Sequence, residues 1–249
     1  MGELYVSYRK RFVLSLPGQR MFVPQKKDGS SVPLTDANLW KHVHGDYSVA
    51  VYAGRSTSRF MCFDVDVSDP AVVRSVIEGV EHLGVRRDDI HVSRSGLKGY
   101  HVELFFDRQI STEQLLRFYR AVLAFTGESS RRIEFRPSFG QAVKLPLSRH
   151  AITGAICWYV DRETLMPIED MSYILSIQPI PAQRFHEIAE ALPADSTARE
   201  RKSLYAPACF IEQPEVGAPL TRAGTRHEAM VRMAVASRGS GDNADACRT

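Results

Sequence analysis

The chain has 249 residues, 44% of them hydrophobic and 24% charged, with 32 Lys+Arg against 29 Asp+Glu and a formal net charge of +3. That balance excludes a disordered or collagen-like chain, and a chain of this length buries roughly 70–75% of its unfolded surface, enough for one large domain plus a small appendage. A net charge of +3 does not by itself mark a nucleic-acid binder, so any such reading must come from local clusters.

No run of about 18 apolar residues marks a membrane span, and the N-terminal MGELYVSYRKRFVLSLPGQR lacks the pattern of a signal peptide. Cys62, Cys157, Cys209 and Cys247 form no CxxC pair, and the eight histidines are scattered. Reduced thiols, a cytoplasmic setting, no membrane partner and no structural zinc are the expectation.

The first 46 residues read as an N-terminal part of the core, with basic clusters at Arg9-Lys10-Arg11 and Lys26-Lys27, a turn at Asp28-Gly29 and a short helix over Thr35–His42. SVAVYA (48–53) and FMCFDVDV (60–67) are rich in β-branched and aromatic residues and read as two strands paired with each other. A helix follows, capped by Ser68 or Asp69 with Pro70 in its first turn. Its apolar stripe is Val72, Val73, Val76, Ile77, Val80 and Leu83, and Gly84 ends it.

Asp89–Ser93 and Tyr100–Phe106 read as strands joined by a tight turn. Ser111 and Gln114 open a second helix striped by Leu115, Leu116, Phe118, Tyr119, Val122 and Leu123, closing near Gly127. Short strands are expected at 132–136, 142–145 and 156–160, and a helix over 183–192. Residues 47–192 thus read as the core, 193–222 as a linker or irregular segment, and 223–249 as a terminal helix (225–236) with a disordered tail. The alternation of elements indicates an α/β or α+β domain with a mixed sheet.

Chemistry concentrates in three places. In FDVDV, Asp64 and Asp66 are two apart on a strand and share a face. Two carboxylates about 6–7 Å apart repel by about 2.5–3 kcal/mol at an effective dielectric near 20, so a shared cation suits them, and oxygen ligands suit Mg²⁺ or Mn²⁺. In SRSGLKGYHV, glycines around Lys98 make a turn whose backbone N–H groups can face an anion. Ser95 adds a hydroxyl there, and His101 follows just inside the next strand. In RRIEFRP, alternation puts Arg132, Glu134 and Arg136 on one face, where arginines on both sides would hold Glu134 ionised. Downstream, VKLPLSRH gathers Lys144, Arg149 and His150. Each segment alone is equally at home on a solvated surface; together they are ingredients of nucleotidyl transfer, in which two metals serve the attacking hydroxyl and the leaving pyrophosphate.

The ordered set FDVD, SGLKGYH, IEFRP and KLPLSRHAITG, over about residues 47–161, resembles the archaeo-eukaryotic primase (primase-polymerase) superfamily, with Lys144 where an Arg is usual. The resemblance implies an α+β, two-lobed core with mixed or antiparallel sheets, one lobe RNA-recognition-like, and a short helical C-terminal extension. It implies that Asp64, Asp66 and a third carboxylate bind two Mg²⁺ or Mn²⁺ ions; Glu134 is favoured over Asp161 because it precedes the KLP segment and sits beside Arg136. Ser95, Lys98, His101, Lys144 and His150 would bind the nucleotide. Arg131, Arg132 and Arg136, with the clusters at Arg9–Arg11 and Arg86-Arg87, would meet single-stranded DNA. The start of the last helix, Gly224 to His227, also resembles the opening of the helical domain that follows plasmid and phage primase cores.

The implied activity is metal-dependent, template-directed synthesis or extension of primers from NTPs or dNTPs, beside a possible helicase or nuclease partner. The alternatives are a catalytically silent nucleic-acid-binding module and a DxD glycosyltransferase, which would leave SGLKGYH and KLPLSRH without a role.

Overall fold

The structure, a computed structural model, describes residues 1–24 and 32–193. Chain order runs α1 (Gly2–Tyr5), β1 (Phe12–Ser15), α2 (Asp36–His44), β2 (Ser48–Val51), β3 (Thr57–Val65), α3 (Pro70–His82), β4 (His91–Arg94), β5 (Tyr100–Ser111) and α4 (Thr112–Thr126). It continues through β6 (Ile133–Arg136), β7 (Val143–Lys144), β8 (Tyr159–Val160), β9 (Pro167–Ile168), α5 (Tyr173–Ser176) and α6 (Ala182–Ala191). No helix among the described residues is long and apolar enough to cross a membrane. The expectations for Lys26-Lys27, the Asp28-Gly29 turn, the linker beyond Pro193, the helix at 225–236 and the tail lie outside the described residues.

Local signals place the helices. Thr35 caps α2 through a capping box with Asn38, Asp69 caps α3 with Pro70 in its first turn, and the Ser111 hydroxyl accepts the Gln114 N–H at the start of α4. Gly127, at φ 68°, closes α4 in the left-handed conformation that glycine adopts without a Cβ penalty.

Among the described residues two antiparallel sheets form. The larger has the order β6-β3-β5-β4-β8-β9, the smaller β1-β2-β7. The segment β3-α3-β4-β5-α4-β6, with strand order β6-β3-β5-β4, is the split βαβ arrangement, the topology expected of an RNA-recognition-like lobe. One face of this sheet carries Met61, Phe63, Val65, Val92, Val102, Leu104 and Ile133 into a core with α3, α4 and α6. The α3 stripe of Val72, Val73, Val76, Ile77 and Val80 is buried there as its spacing requires. Each such side chain stabilises the fold by about 1.5–3 kcal/mol relative to exposure. On the opposite face, Phe60, Cys62 and Phe105 pack with Tyr5, Val49, Val51, Val143, Leu145 and Tyr159 in a second core beneath the smaller sheet.

The expected pairing of SVAVYA with FMCFDVDV is corrected. Strand β2 pairs with β1 and β7, whereas β3 lies between β5 and β6. The polar connection between them passes from one sheet to the other, and residue pattern identifies a strand without identifying its neighbour. The strand expected over 156–160 is also shorter, with Ile156 joined only by a bridge to Arg149.

Candidate active site

Cross-strand register builds the site. One row of directly opposed residues runs Glu134 (β6), Asp64 (β3), His101 (β5), Ser93 (β4), Tyr159 (β8) across the large sheet. The next row runs Arg136, Cys62, Glu103, His91. Asp66 lies just past the end of β3, where its N–H donates to the Arg132 carbonyl at 3.0 Å. Carboxylate oxygens of Asp64, Asp66 and Glu134 therefore lie within 4.8 Å of one another.

At that separation two ionised carboxylates repel by about 3–4 kcal/mol at an effective dielectric near 20. Burial pushes the Asp64 carboxyl up to about 6, with Arg136 pulling it down and Glu134 pushing it up. Asp66 is raised by burial and then by Asp64. Arg136 donates to Glu134 and sits 3.6 Å from Asp64. One guanidinium against three carboxyls leaves an excess of negative charge, and three converging hard oxygen donors fit a divalent Mg²⁺- or Mn²⁺-type cation. Asp161, the rival third carboxylate, is elsewhere: its Oδ1 accepts the Glu163 and Thr164 N–H groups in the turn before β9.

The trio faces a cleft of ≈ 780 Å³ lined by both sheets. Asp64, Asp66, Ser95 and His101 line one side; Ser48, Ala50, Val143 and Lys144 of the smaller sheet, with His150, line the other. The Lys144 ammonium donates to the Ser95 carbonyl and to Cys157 Sγ, tying the KLP segment to the SGLKG turn. That turn closes through Ser95 N–H to the Gly99 carbonyl and Gly99 N–H to the Ser95 hydroxyl. Its glycines are required: a Cβ on Gly96 (φ 95°) would lie 2.7 Å from Cys157 Sγ, and one on Gly99 would lie 2.5 Å from the Val65 carbonyl oxygen.

His101 is buried, with Nε2 3.5 Å from Asp64. Burial, aided by Lys144, lowers its pKa to about 3, so the ring is neutral at physiological pH. His150 is also lowered, first by burial and then by Lys144, and its Nδ1 accepts the Thr153 N–H at 3.2 Å.

Some expected residues stand apart. Lys98 lines a neighbouring cleft of ≈ 590 Å³ with Arg94, Tyr100 and Trp158, although its charge still lowers the Asp66 carboxyl. Arg136, expected at nucleic acid, turns instead into the carboxylates. Arg132, expected to flank Glu134, pairs with Glu128 at 2.9 Å; the pairing follows from the turn before β6, which brings Glu128 within reach. Arg131 is exposed. Arg9 pairs with Asp36, Arg86 with Asp89, and Arg87 with Glu81 and Glu163, so those clusters are partly engaged within the fold. Sequence reasoning missed Gln19, Arg20 and Tyr52, which also line the main cleft; only the Gly-Gln-Arg turn after β1 hinted at the first two.

An RNA-recognition-like sheet with a second sheet closing over its carboxylate-bearing edge defines the class: an archaeo-eukaryotic primase core. The chain belongs to that superfamily, its residues 7–188 matching the family described as the TOTE conflict system, Archaeo-Eukaryotic Primase domain. Among solved structures, the AEP domain of the cyanophage S-2L primase-polymerase is similar over 74% of this chain and 90% of its own, with 14% identity and a TM-score of 0.42. No curated protein matches the chain.

Proposed function

We propose that this protein is a metal-dependent, template-directed nucleotidyltransferase that synthesises or extends primers on single-stranded DNA from NTPs or dNTPs. The observation that carries the reading is the convergence of Asp64, Asp66 and Glu134 within 4.8 Å at a cleft whose far wall bears Lys144 and His150. The three carboxylates would hold two Mg²⁺ or Mn²⁺ ions, which when bound acidify the primer 3′-hydroxyl and neutralise charge on the triphosphate and pyrophosphate.

The chain's own groups do the rest. Lys144 and His150 bind phosphate or sugar from the smaller sheet, and Ser95 with the backbone of the glycine turn lines the phosphate side. His101, neutral, offers an N–H toward the cleft. Arg136 neutralises part of the carboxylate charge before metal enters and must yield Glu134 when it does. The second cleft, with Arg94, Lys98, Tyr100 and Trp158, has the mix of cation and aromatic ring that tracks a single strand by phosphate contact and base stacking.

The test is incubation with Mn²⁺ or Mg²⁺, a single-stranded template and labelled NTPs or dNTPs. Template-dependent, metal-dependent oligonucleotides support the proposal; tight DNA binding without synthesis under any of these conditions overturns it. The Arg136–Glu134 pair favours a second reading, a DNA-binding module without synthesis, and that last outcome would establish it.

A further inference from the structure

Below the carboxylate trio lies a second group of metal-ligating side chains, of which the proposed reaction uses only His101. Cys62 is directly opposite Glu103 across β3 and β5, and His101 precedes Glu103 by two on the same strand face. Cys62 Sγ, a ring nitrogen of His101 and a carboxylate oxygen of Glu103 all lie within 4.8 Å of one another. Cys62 and Glu103 have no solvent exposure and His101 has 4%.

Two polar atoms of this cluster, His101 Nδ1 and Glu103 Oε1, are buried without a hydrogen-bond partner. An unsatisfied buried polar group costs about 1–3 kcal/mol, so two in one cluster point to a common missing partner. The other bonds are accounted for: Glu103 Oε2 accepts from the Ser93 hydroxyl at 3.1 Å, the Tyr5 hydroxyl lies against the same carboxyl, and Cys62 is a free thiol. A water could serve Nδ1 and Oε1 but would leave the sulfur with only a weak partner. A divalent ion that accepts sulfur, nitrogen and oxygen serves all three, and zinc is the metal bound by that mixed donor set. His101 has the orientation of a metal-bound histidine, since its other nitrogen, Nε2, faces the Asp64 carboxylate.

Against the expectation of no structural zinc, which rested on spacing along the chain, we propose that Cys62, His101 and Glu103 bind one zinc ion within the sheet, beneath the candidate active site. The thiolate and carboxylate balance the ion's two charges, and the protons that burial keeps on the thiol and on the Glu103 carboxyl leave to solvent on binding. Phe60, Phe105, Tyr5 and Tyr159 pack around this part of the sheet, so the ion is acquired during folding. Binding at Nδ1 leaves Nε2 as the ring's N–H donor toward Asp64 and the cleft. The ion thereby fixes the tautomer and direction of a side chain that the proposed reaction uses at the nucleotide; that consequence rests on the proposed function, whereas zinc binding does not.

The test uses the full chain. Expressed with zinc and freed of loose metal, it is expected to carry about one zinc per chain by elemental analysis. Refolded with Co²⁺, it is expected to show a thiolate-to-cobalt charge-transfer band. Cys62→Ala removes the band, and the near-isosteric Glu103→Gln weakens retention of the metal, which covers the case in which one variant does not fold. Asp66→Ala keeps the band, because the carboxylate trio has no sulfur. A wild-type chain that retains no zinc and shows no cobalt–thiolate band overturns the proposal, as does a band that survives Cys62→Ala. Primer synthesis does not enter either readout, so failure here is distinguishable from failure of the proposed function.

Discussion

The two faces of the six-stranded sheet are built from alternate residues of the same strands, yet they do opposite things. Toward α3 and α4, every inward residue of β3 from Met61 to Val65 is apolar and fully buried. Toward the smaller sheet, the residues between them, Cys62 and Asp64, join a polar seam of His101, Glu103, Ser93 and Arg136 that runs from the cleft into the second core. The helix-covered face supplies stability by area. The other gives up some of that stability to hold ionisable groups where solvent is scarce, and scarcity of solvent is what makes their charges effective.

The comparison is tested most severely by Phe118→Ala. Phe118 is fully buried on α4 against Phe185, and its loss should destabilise the fold by about 3–5 kcal/mol in urea unfolding. The folded fraction should keep its metal and nucleotide affinity. Asp64→Asn should do the reverse: thermal stability nearly unchanged, primer synthesis lowered by at least about 100-fold, DNA binding retained. Equal loss of binding and synthesis would contradict a metal-ligand role.

A third test concerns His42, which clamps α2 to both β2 and the KLP segment. Its Nδ1 accepts the Val49 N–H at 2.9 Å and its Nε2–H donates to the Pro146 carbonyl at 2.8 Å, a pattern only the neutral ring can satisfy. Burial lowers its pKa from 6.5 to about 4. The unfolded chain binds a proton here that the folded chain refuses, so this stabilisation is complete above the unfolded value of 6.5 and is lost as pH falls toward 4. The loss amounts to about 3 kcal/mol. Nitrogen–proton correlation spectra should show the Nε2–H tautomer persisting down to about pH 4, and His42→Gln should remove one proton's worth of the acid slope in stability.

Gly96→Ala is expected to destabilise by about 1–3 kcal/mol, through strain at a positive φ and the approach to Cys157. Its signature should be faster hydrogen exchange in the β4–β5 turn and a raised nucleotide KM. The smallest effect belongs to Arg131→Ala on the surface: unchanged stability, slightly weaker DNA binding on every sequence, and a salt-dependence slope reduced by about 1. A sequence-selective loss would mean that Arg131 reads bases.

Much of this was legible in order along the chain. The stripes of α3 and α4, the caps at Asp69 and Ser111, the strand carrying FDVD and the glycine turn before His101 all follow from local periodicity and turn chemistry. The reading of Glu134 over Asp161 rested on order and neighbours. The register of β3 with β6 that sets Glu134 opposite Asp64 involves residues 70 apart in sequence. Strands β2 and β3, adjacent in sequence, lie in different sheets for the same reason: their neighbours are set by long-range register. Leu147, which adopts a φ of 65° within KLPLSRH and is held by its N–H to the Cys157 carbonyl, gives no sequence signal at all.

The amino-acid sequence alone determined which side chains share a strand face, where helices begin and stop, and which chemistries are available, because each depends on residues within a few positions of one another. Only the tertiary structure decided which strands lie side by side. That choice brings Glu134 to Asp64, turns Arg136 inward, and gathers Cys62, His101 and Glu103 into one buried cluster. The physical reason is that strand pairing is settled by the burial of whole faces and by long-range register, and neither quantity is encoded in any single segment.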